Sequence, residues 1–168
     1  MNIEVSNENS GDAASVHQVT AQAFLHSPHT DHTEQFIVDA LRRAGALTIS
    51  QVAKADGGII GHVAISPVTL ASGAAGWFGL GPISVLPEFQ GHGVGTALMK
   101  SALAALETMG ASGCVVLGDP EYYGRFGFKV IDGLFCTGVP AEYFQALSFN
   151  DSFPHGEVSY HEAFFVQG

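Results

Sequence analysis

Basic residues are scarce in this 168-residue chain: six Lys and Arg stand against sixteen Asp and Glu, for a net charge of −10 with histidine neutral. Such a surface repels the backbone of a nucleic acid, and the six cations are too dispersed in sequence to form a basic patch. Nucleic acid is therefore excluded as a partner. Cysteine is nearly absent as well. Cys114 and Cys136 are too few for a disulfide framework, and Cys114 sits in an apolar run where it packs as a small hydrophobe. A reducing, cytoplasmic compartment is expected. No apolar run is long enough to cross a bilayer, so no membrane association is expected. The opening Met1-Asn2-Ile3-Glu4-Val5 lacks a basic stretch followed by a long apolar one, so no secretory leader is expected either. What is present is 46% hydrophobic residue with only 13% charged, the composition of a folded core. The length suits one domain spanning 1–168, with no repeat or linker to divide it.

Periodicity orders the chain into alternating elements. Asn2 to Ser6 alternates as a first strand, and Ser10-Gly11-Asp12 offers capping chemistry for a helix over Ala13 to Phe24. A second helix follows, capped at Thr30 or Asp31, with Phe36, Ile37, Ala40 and Leu41 as its apolar stripe and Gly45 as its stop. Ala46 to Ala53 and Ile59 to Leu70 read as strands joined at Asp56-Gly57-Gly58, a hairpin signal, with Pro67 marking a bend or edge. Trp77 to Val85 is a further strand. Gly79, Gly81 and Pro82 inside it signal a bulge or a close approach by another group. Helical spacing is clearest from Val94 to Met109, closed by Gly110. Gly113 to Leu117 is a short buried strand, and Asp119-Pro120 starts a short helix. The remainder is expected to hold a strand from Gly127 through Ile131, a helical turn within Val139 to Leu147, and a last strand over Val158 to Val166. The order is that of an α/β fold whose sheet is largely antiparallel in its first half.

Chemistry concentrates where the strand ending at Val85 runs into the best helix. Gln90-Gly91-His92-Gly93-Val94-Gly95-Thr96 places three alternating glycines at a helix N-terminus. Glycine lets a ligand touch the main chain, and the helix start supplies unpaired N–H groups and a partial positive charge. Together they make an anion cradle suited to a pyrophosphate, which an acidic chain with few cations would otherwise struggle to hold.

The pattern Gln90-x-x-Gly93-x-Gly95 resembles the acetyl-CoA pyrophosphate motif of the GNAT N-acetyltransferases. The spacing of Tyr123, Gly127 and Phe128 resembles the segment that carries that family's general acid. The stretch from Gly118 to Phe128 is similar to a bacterial subgroup of YhbS-like acetyltransferases. The resemblance follows element order over nearly the whole chain and is most specific from Gly79 to Phe128. It implies the GNAT fold: a mixed central sheet, antiparallel in its first half, with helices on both faces. It implies acetyl-CoA as cosubstrate, no metal, and transfer of the acetyl group by direct attack of a primary amine, carried by a small molecule or by a peptide or protein. It also implies site residues. The exposed edge at Ile83, Ser84 and Val85 would pair with the pantetheine arm, with an N–H near Val85 facing the thioester oxygen. Gln90, Gly91, His92, Gly93, Val94, Gly95 and Thr96 would hold the pyrophosphate, and Tyr123 would protonate the departing thiolate, with Tyr122 as the adjacent alternative. A homodimer is common in the family.

The base that takes the amine proton is not legible. Trp77 to Val85 carries no Asp, Glu or His, and Glu88 lies in the loop beyond it. His62 is one candidate, because its ordinary pKa lies near neutrality, and a water wire or a backbone carbonyl is another. His26, His29 and His32, with Asp31 and Glu34, lack a standard zinc spacing and read as a polar loop between two helices; the family resemblance implies that this loop lies on the acceptor side, where its acidic residues would favour a cationic acceptor. Two rival readings remain to be separated. A dinucleotide fold fits poorly, because Thr96 occupies the third glycine position and five residues part Val85 from Gly91. A non-catalytic acyl-CoA-binding or regulatory module on the same fold is open on sequence alone.

Overall fold

The computed structural model describes residues 2–28 and 30–167. The chain begins with strand β1 (Glu4–Asn7), helices α1 (Ala13–Phe24) and α2 (Glu34–Arg43), and the strands β2 (Ile49–Ala55) and β3 (Gly58–Pro67). A two-residue β4 (Thr69–Leu70) precedes β5 (Trp77–Val85), α3 (Val94–Thr108), β6 (Gly113–Leu117) and α4 (Pro120–Gly124). Strands β7 (Leu134–Phe135), β8 (Phe144–Ser148) and β9 (Gly156–Ser159) complete the fold. The main sheet has the order β1-β2-β3-β5-β6-β8, and a small sheet has the order β4-β9-β7. In the main sheet only β5 and β6 run parallel; every other pair is antiparallel.

The two-residue period of the strands decides which helix each side chain meets. On β2, Ile49, Ala53 and Ala55 point to the face covered by α3, while Val52 points to Val16 of α1 and Val38 of α2. Helix α3 presents Val94, Leu98, Ala102 and Leu106 at helical spacing, and all four are buried against that first face. Burying each such Leu stabilises the fold by about 1.5–3 kcal/mol, which anchors the N-terminus of α3 beside the end of β5.

Several elements differ from the sequence reading. The strand expected from Ile59 to Leu70 breaks at Pro67, which has no N–H for a ladder, and Thr69–Leu70 joins the small sheet instead. Helix α2 is capped by Thr33 rather than Thr30 or Asp31, and no side chain bonds across its start. Asp12 caps α1 only by position, because its carboxylate accepts from the Asn9 amide. The Gly127–Ile131 segment makes a single bridge, Lys129 to Ala146, rather than a strand. Within Val139–Leu147, a 3-10 turn at Ala141–Tyr143 gives way to β8, whose Phe144 and Ala146 fill the core of the small sheet. The last strand covers only Gly156–Ser159, and Glu162–Phe165 is a 3-10 turn. That turn buries Ala163 against Ile37 and Leu41 of α2, so tertiary packing overrides the β-type pattern of Phe164 and Phe165.

Candidate functional site

The main sheet opens at its centre. Trp77, Phe78 and Gly79 of β5 pair with Gly113, Cys114 and Val115 of β6, and the pairing stops there although both strands continue. From Leu80 to Val85, β5 is held only by β3, so one edge of its backbone is left free. A bulge accompanies the parting. The β3–β5 register slips, so that Val63 faces Ile83 while Ile65 faces Leu80, and Gly81 and Pro82 together stand opposite the single residue Ala64, where a missing proline N–H costs no ladder bond. Gly79 meets the ring of Tyr160, which lies 2.5 Å from where a Cβ would be, so the glycine marks a close approach as its place in a strand implied.

At the far end of this open edge lies the glycine loop. Val85, Gln90, Gly91, Gly93, Gly95 and Thr96 line a cavity of about 400 Å³, together with Tyr122 and Arg125 of the α4 segment. Gly91 and Gly93 have φ of +80° and +84°, left-handed values that favour glycine, and an added Cβ at either would meet nothing within 4 Å. Gly93 stands at the cap position of α3 without a side-chain bond across the helix start. The amides of residues 91 to 96 donate to no main-chain carbonyl among the described residues, and the first bond into the helix is Ala97 N–H to the Gly93 carbonyl at 3.0 Å. The loop thus offers unpaired donors over open space, the requirement for an anion site. Gln90 secures it by donating from Nε2 to the Val85 carbonyl at 3.0 Å. The Arg125 guanidinium lies 4.7 Å above the Tyr122 ring, which places one of the chain's few cations on the rim. Sequence spacing alone gave no reason to single out Arg125.

Not every residue expected here presents its side chain. Val94 is buried in the core, so only its amide can face the cavity. His92 is exposed and outside the lining. Ser84 is 2% exposed with its hydroxyl pointing inward, which leaves only its main chain for a ligand.

At the near end of the open edge is a second cavity, of about 290 Å³, where Leu80 to Ile83 of β5 face Leu117 of β6. Phe24 and Ile37 of the first two helices and Phe164 of the last turn flank it. Tyr123, Tyr160 and Glu34 bring its polar atoms. The two adjacent tyrosines separate cleanly. The Tyr122 hydroxyl lies 2.8 Å from the position of a Cβ on Gly95, at the cradle, whereas Tyr123 lines the cleft. Asp119 fixes their helix by accepting the Glu121 amide at 2.9 Å, and the Tyr123 ring packs on Gly118, 2.6 Å from where a Cβ would stand. Burial, and then the neighbouring Tyr122 and Asp119, push the Tyr123 phenol up to about 12, so it stays protonated through the physiological range.

His62 is elsewhere. It is fully buried under α1 and α2, outside the cleft lining, with Nε2 2.7 Å from the Ser50 hydroxyl. Burial lowers its pKa to about 4, against the opposing pull of the Glu8 carboxylate 3.9 Å away. Desolvation wins, and the imidazole is neutral. Because the folded value lies below the unfolded one of about 6.5, the unfolded chain binds more protons between the two. Stability from this residue is therefore complete above about pH 6.5 and falls as the pH drops toward 4, by roughly 3 kcal/mol. Urea unfolding at pH 4, 5 and 7 should show this slope, and His62→Gln should flatten it. An unchanged slope in the variant would remove His62 as its source. Of the histidine loop, His29 lies outside the described residues, and His26 and His32 approach no ligand set. Among the described residues no three His, Cys, Asp or Glu side chains gather as metal ligands, and no helix is long and apolar enough to cross a membrane.

Known proteins share this arrangement. Residues 47–130 match the sequence model of the Acetyltransferase (GNAT) domain, half of the chain and the part that holds the open edge and the glycine loop. The uncharacterized N-acetyltransferase YhbS of Escherichia coli K12 is 37% identical over 109 residues, covering 64% of this chain and 65% of its own length. A GNAT family acetyltransferase of Brucella melitensis, solved in complex with acetyl-CoA, superposes with a TM-score of 0.87 at 47% identity, over 97% of this chain and 98% of that one. The crystal structure of E. coli YhbS with CoA superposes with a TM-score of 0.88 at 31% identity, over 100% of this chain and 94% of that one.

Proposed function

The chain belongs to the GNAT acetyltransferase family, and from that premise we propose that it moves the acetyl group of acetyl-CoA to a primary amine by direct attack. The observation that carries the reading is that one free strand edge joins an anion cradle to an apolar-walled cleft. Val85 belongs to the first, Ile83 to the second, and the free edge runs between them. A pyrophosphate rests on the amides of Gly91 to Thr96, with Arg125 alongside. The pantetheine amides complete the open edge of β5 as an added strand would. The acetyl thioester then reaches the Ile83 end, so the donor for its developing oxyanion lies at Ile83 rather than at Val85. The neutral amine nitrogen attacks the carbonyl carbon and releases its surplus proton to solvent water, the C–S bond breaks, and the leaving sulfur takes a proton from the Tyr123 O–H, which solvent then restores. Relatives solved with acetyl-CoA and CoA support the choice of cosubstrate. No metal takes part.

We place the activity in the cytoplasm, where acetyl-CoA is available and where the free thiols of Cys114 and Cys136 stay reduced. The working unit is the single domain 1–168, and a homodimer is the assembly the family resemblance favours.

The test is calorimetry followed by chemistry. Acetyl-CoA should bind and NAD should not, and an amine should accelerate release of free thiol. Binding without amine-stimulated release would favour the acyl-CoA-binding or regulatory module. Absence of binding would remove the transferase reading altogether.

A further inference from the structure

The near cleft is built for a particular kind of acceptor. Its walls are apolar, contributed by Phe24, Ile37, Leu80, Leu117 and Phe164, and at about 290 Å³ it lies at the small end of ligand cavities. No Lys or Arg lines it. Two of the lining residues each carry a buried polar atom without a hydrogen-bond partner: Glu34 at Oε1 and Tyr160 at its hydroxyl. Such atoms are costly unless a ligand satisfies them. Glu34 is the first residue of α2, and its other oxygen, Oε2, accepts from the Thr30 hydroxyl, which fixes the carboxylate in place. Oε2 is thus engaged, and Oε1 is left without a partner in a residue that lines the cavity.

We propose that Glu34 is the specificity residue for the acceptor, and that the acceptor is a small monoamine with an apolar body, such as an arylalkylamine or a branched alkylamine. The ammonium donates to Glu34 Oε1, the Tyr160 oxygen accepts a second N–H, and the hydrocarbon packs on Phe24, Ile37 and Phe164; the same nitrogen attacks once it has passed one proton to solvent water, which frees its lone pair. The chemistry excludes other amines by what the cavity lacks. A free amino acid brings a carboxylate that finds no cation. A polyamine or aminoglycoside brings further cations that find no second carboxylate among the lining residues. This deepens the transferase reading and rests on it.

The experiment uses the intact protein saturated with acetyl-CoA, and follows thiol release with phenethylamine, isoamylamine, spermidine and leucine. The first two should exceed the last two in kcat/KM by at least about tenfold. Glu34→Gln preserves the bond to Thr30 and should raise the KM for phenethylamine by on the order of a hundredfold, with the acetyl-CoA dissociation constant unchanged within about threefold. Tyr160→Phe should raise the same KM by a smaller factor. Titration of phenethylamine into the CoA complex gives a readout independent of turnover, and Glu34→Gln should weaken it in parallel. An unchanged KM in Glu34→Gln, or spermidine or leucine as the better acceptor, would overturn the subsite while leaving the transferase intact. Failure of the unaltered protein to bind acetyl-CoA would overturn both.

Discussion

Tyr123→Phe is expected to lower kcat for acetyl transfer by on the order of 10²–10³, with acetyl-CoA affinity kept within about threefold. The residue lines the cleft rather than the cradle, so its hydroxyl contributes nothing to phosphate binding. The size of the loss follows from the phenol's acidity. Burial raises its pKa to about 12, whereas an ordinary thiol titrates near 8.5. Complete proton transfer to a free thiolate is then uphill by about three orders of magnitude in equilibrium constant. On the proposed mechanism Tyr123 supplies an O–H dipole to the developing sulfur charge, with the proton following as the bond breaks. Removing one such preorganised donor costs about 10²–10³, nearer the lower bound for a full general acid. The ring packs on Gly118 and Phe128 in either variant, so the fold should survive. Tyr122→Phe is the internal control. Its hydroxyl sits at Gly95, and its loss should act on CoA affinity rather than on turnover. If turnover follows Tyr122 and ignores Tyr123, the acid has been assigned to the wrong ring.

How far the sequence reached depended on whether the signal was local. The glycine loop was legible because alternate glycines before a helix constrain their own backbone; φ of +80° and +84° at Gly91 and Gly93 fit that spacing. The bulge at Gly81 and Pro82 was legible for the same reason. The parting of β5 from β6 was not, because a strand carries no mark of where its neighbour leaves. Only the resemblance supplied it. The carboxyl-terminal segment misled because Phe164 and Phe165 favour a strand in isolation, while contacts with α2 more than 110 residues away hold Glu162–Phe165 in a turn. Glu34 was legible only as one of the acidic residues of a polar stretch, because its place beside Phe24, Ile37 and Phe164 in the cleft lining is set by tertiary packing that no local pattern records. His62 reads oppositely: its ordinary pKa recommends it as a base, and only its depth in the sheet, which no local pattern records, shows that it is neutral and turned away from the cleft.

Gly93→Val should raise the dissociation constant for CoA by on the order of a hundredfold or more, the largest single effect expected on binding. Nothing in the protein lies within 4 Å of an added Cβ there, so the substitution collides with no neighbouring side chain. The space it enters is the one bounded by the free amides of residues 91 to 96. Hydrogen bonds to a charged group contribute about 1.5–3 kcal/mol each, so displacing a phosphate from two of them removes a factor of hundreds. A second cost falls on the protein alone. Valine at φ of +84° forces an L side chain into the left-handed region, worth about 1–2 kcal/mol, or a few degrees in Tm for a chain of this size. Gly73→Val separates the two costs. Gly73 has φ of +83° and equally open surroundings, in a turn outside both cavities. The two variants should therefore lose similar stability, and only Gly93→Val should lose CoA. Equal affinities in the two would mean that the glycine loop is merely a helix start, and that the coenzyme's phosphates, if bound at all, are held elsewhere.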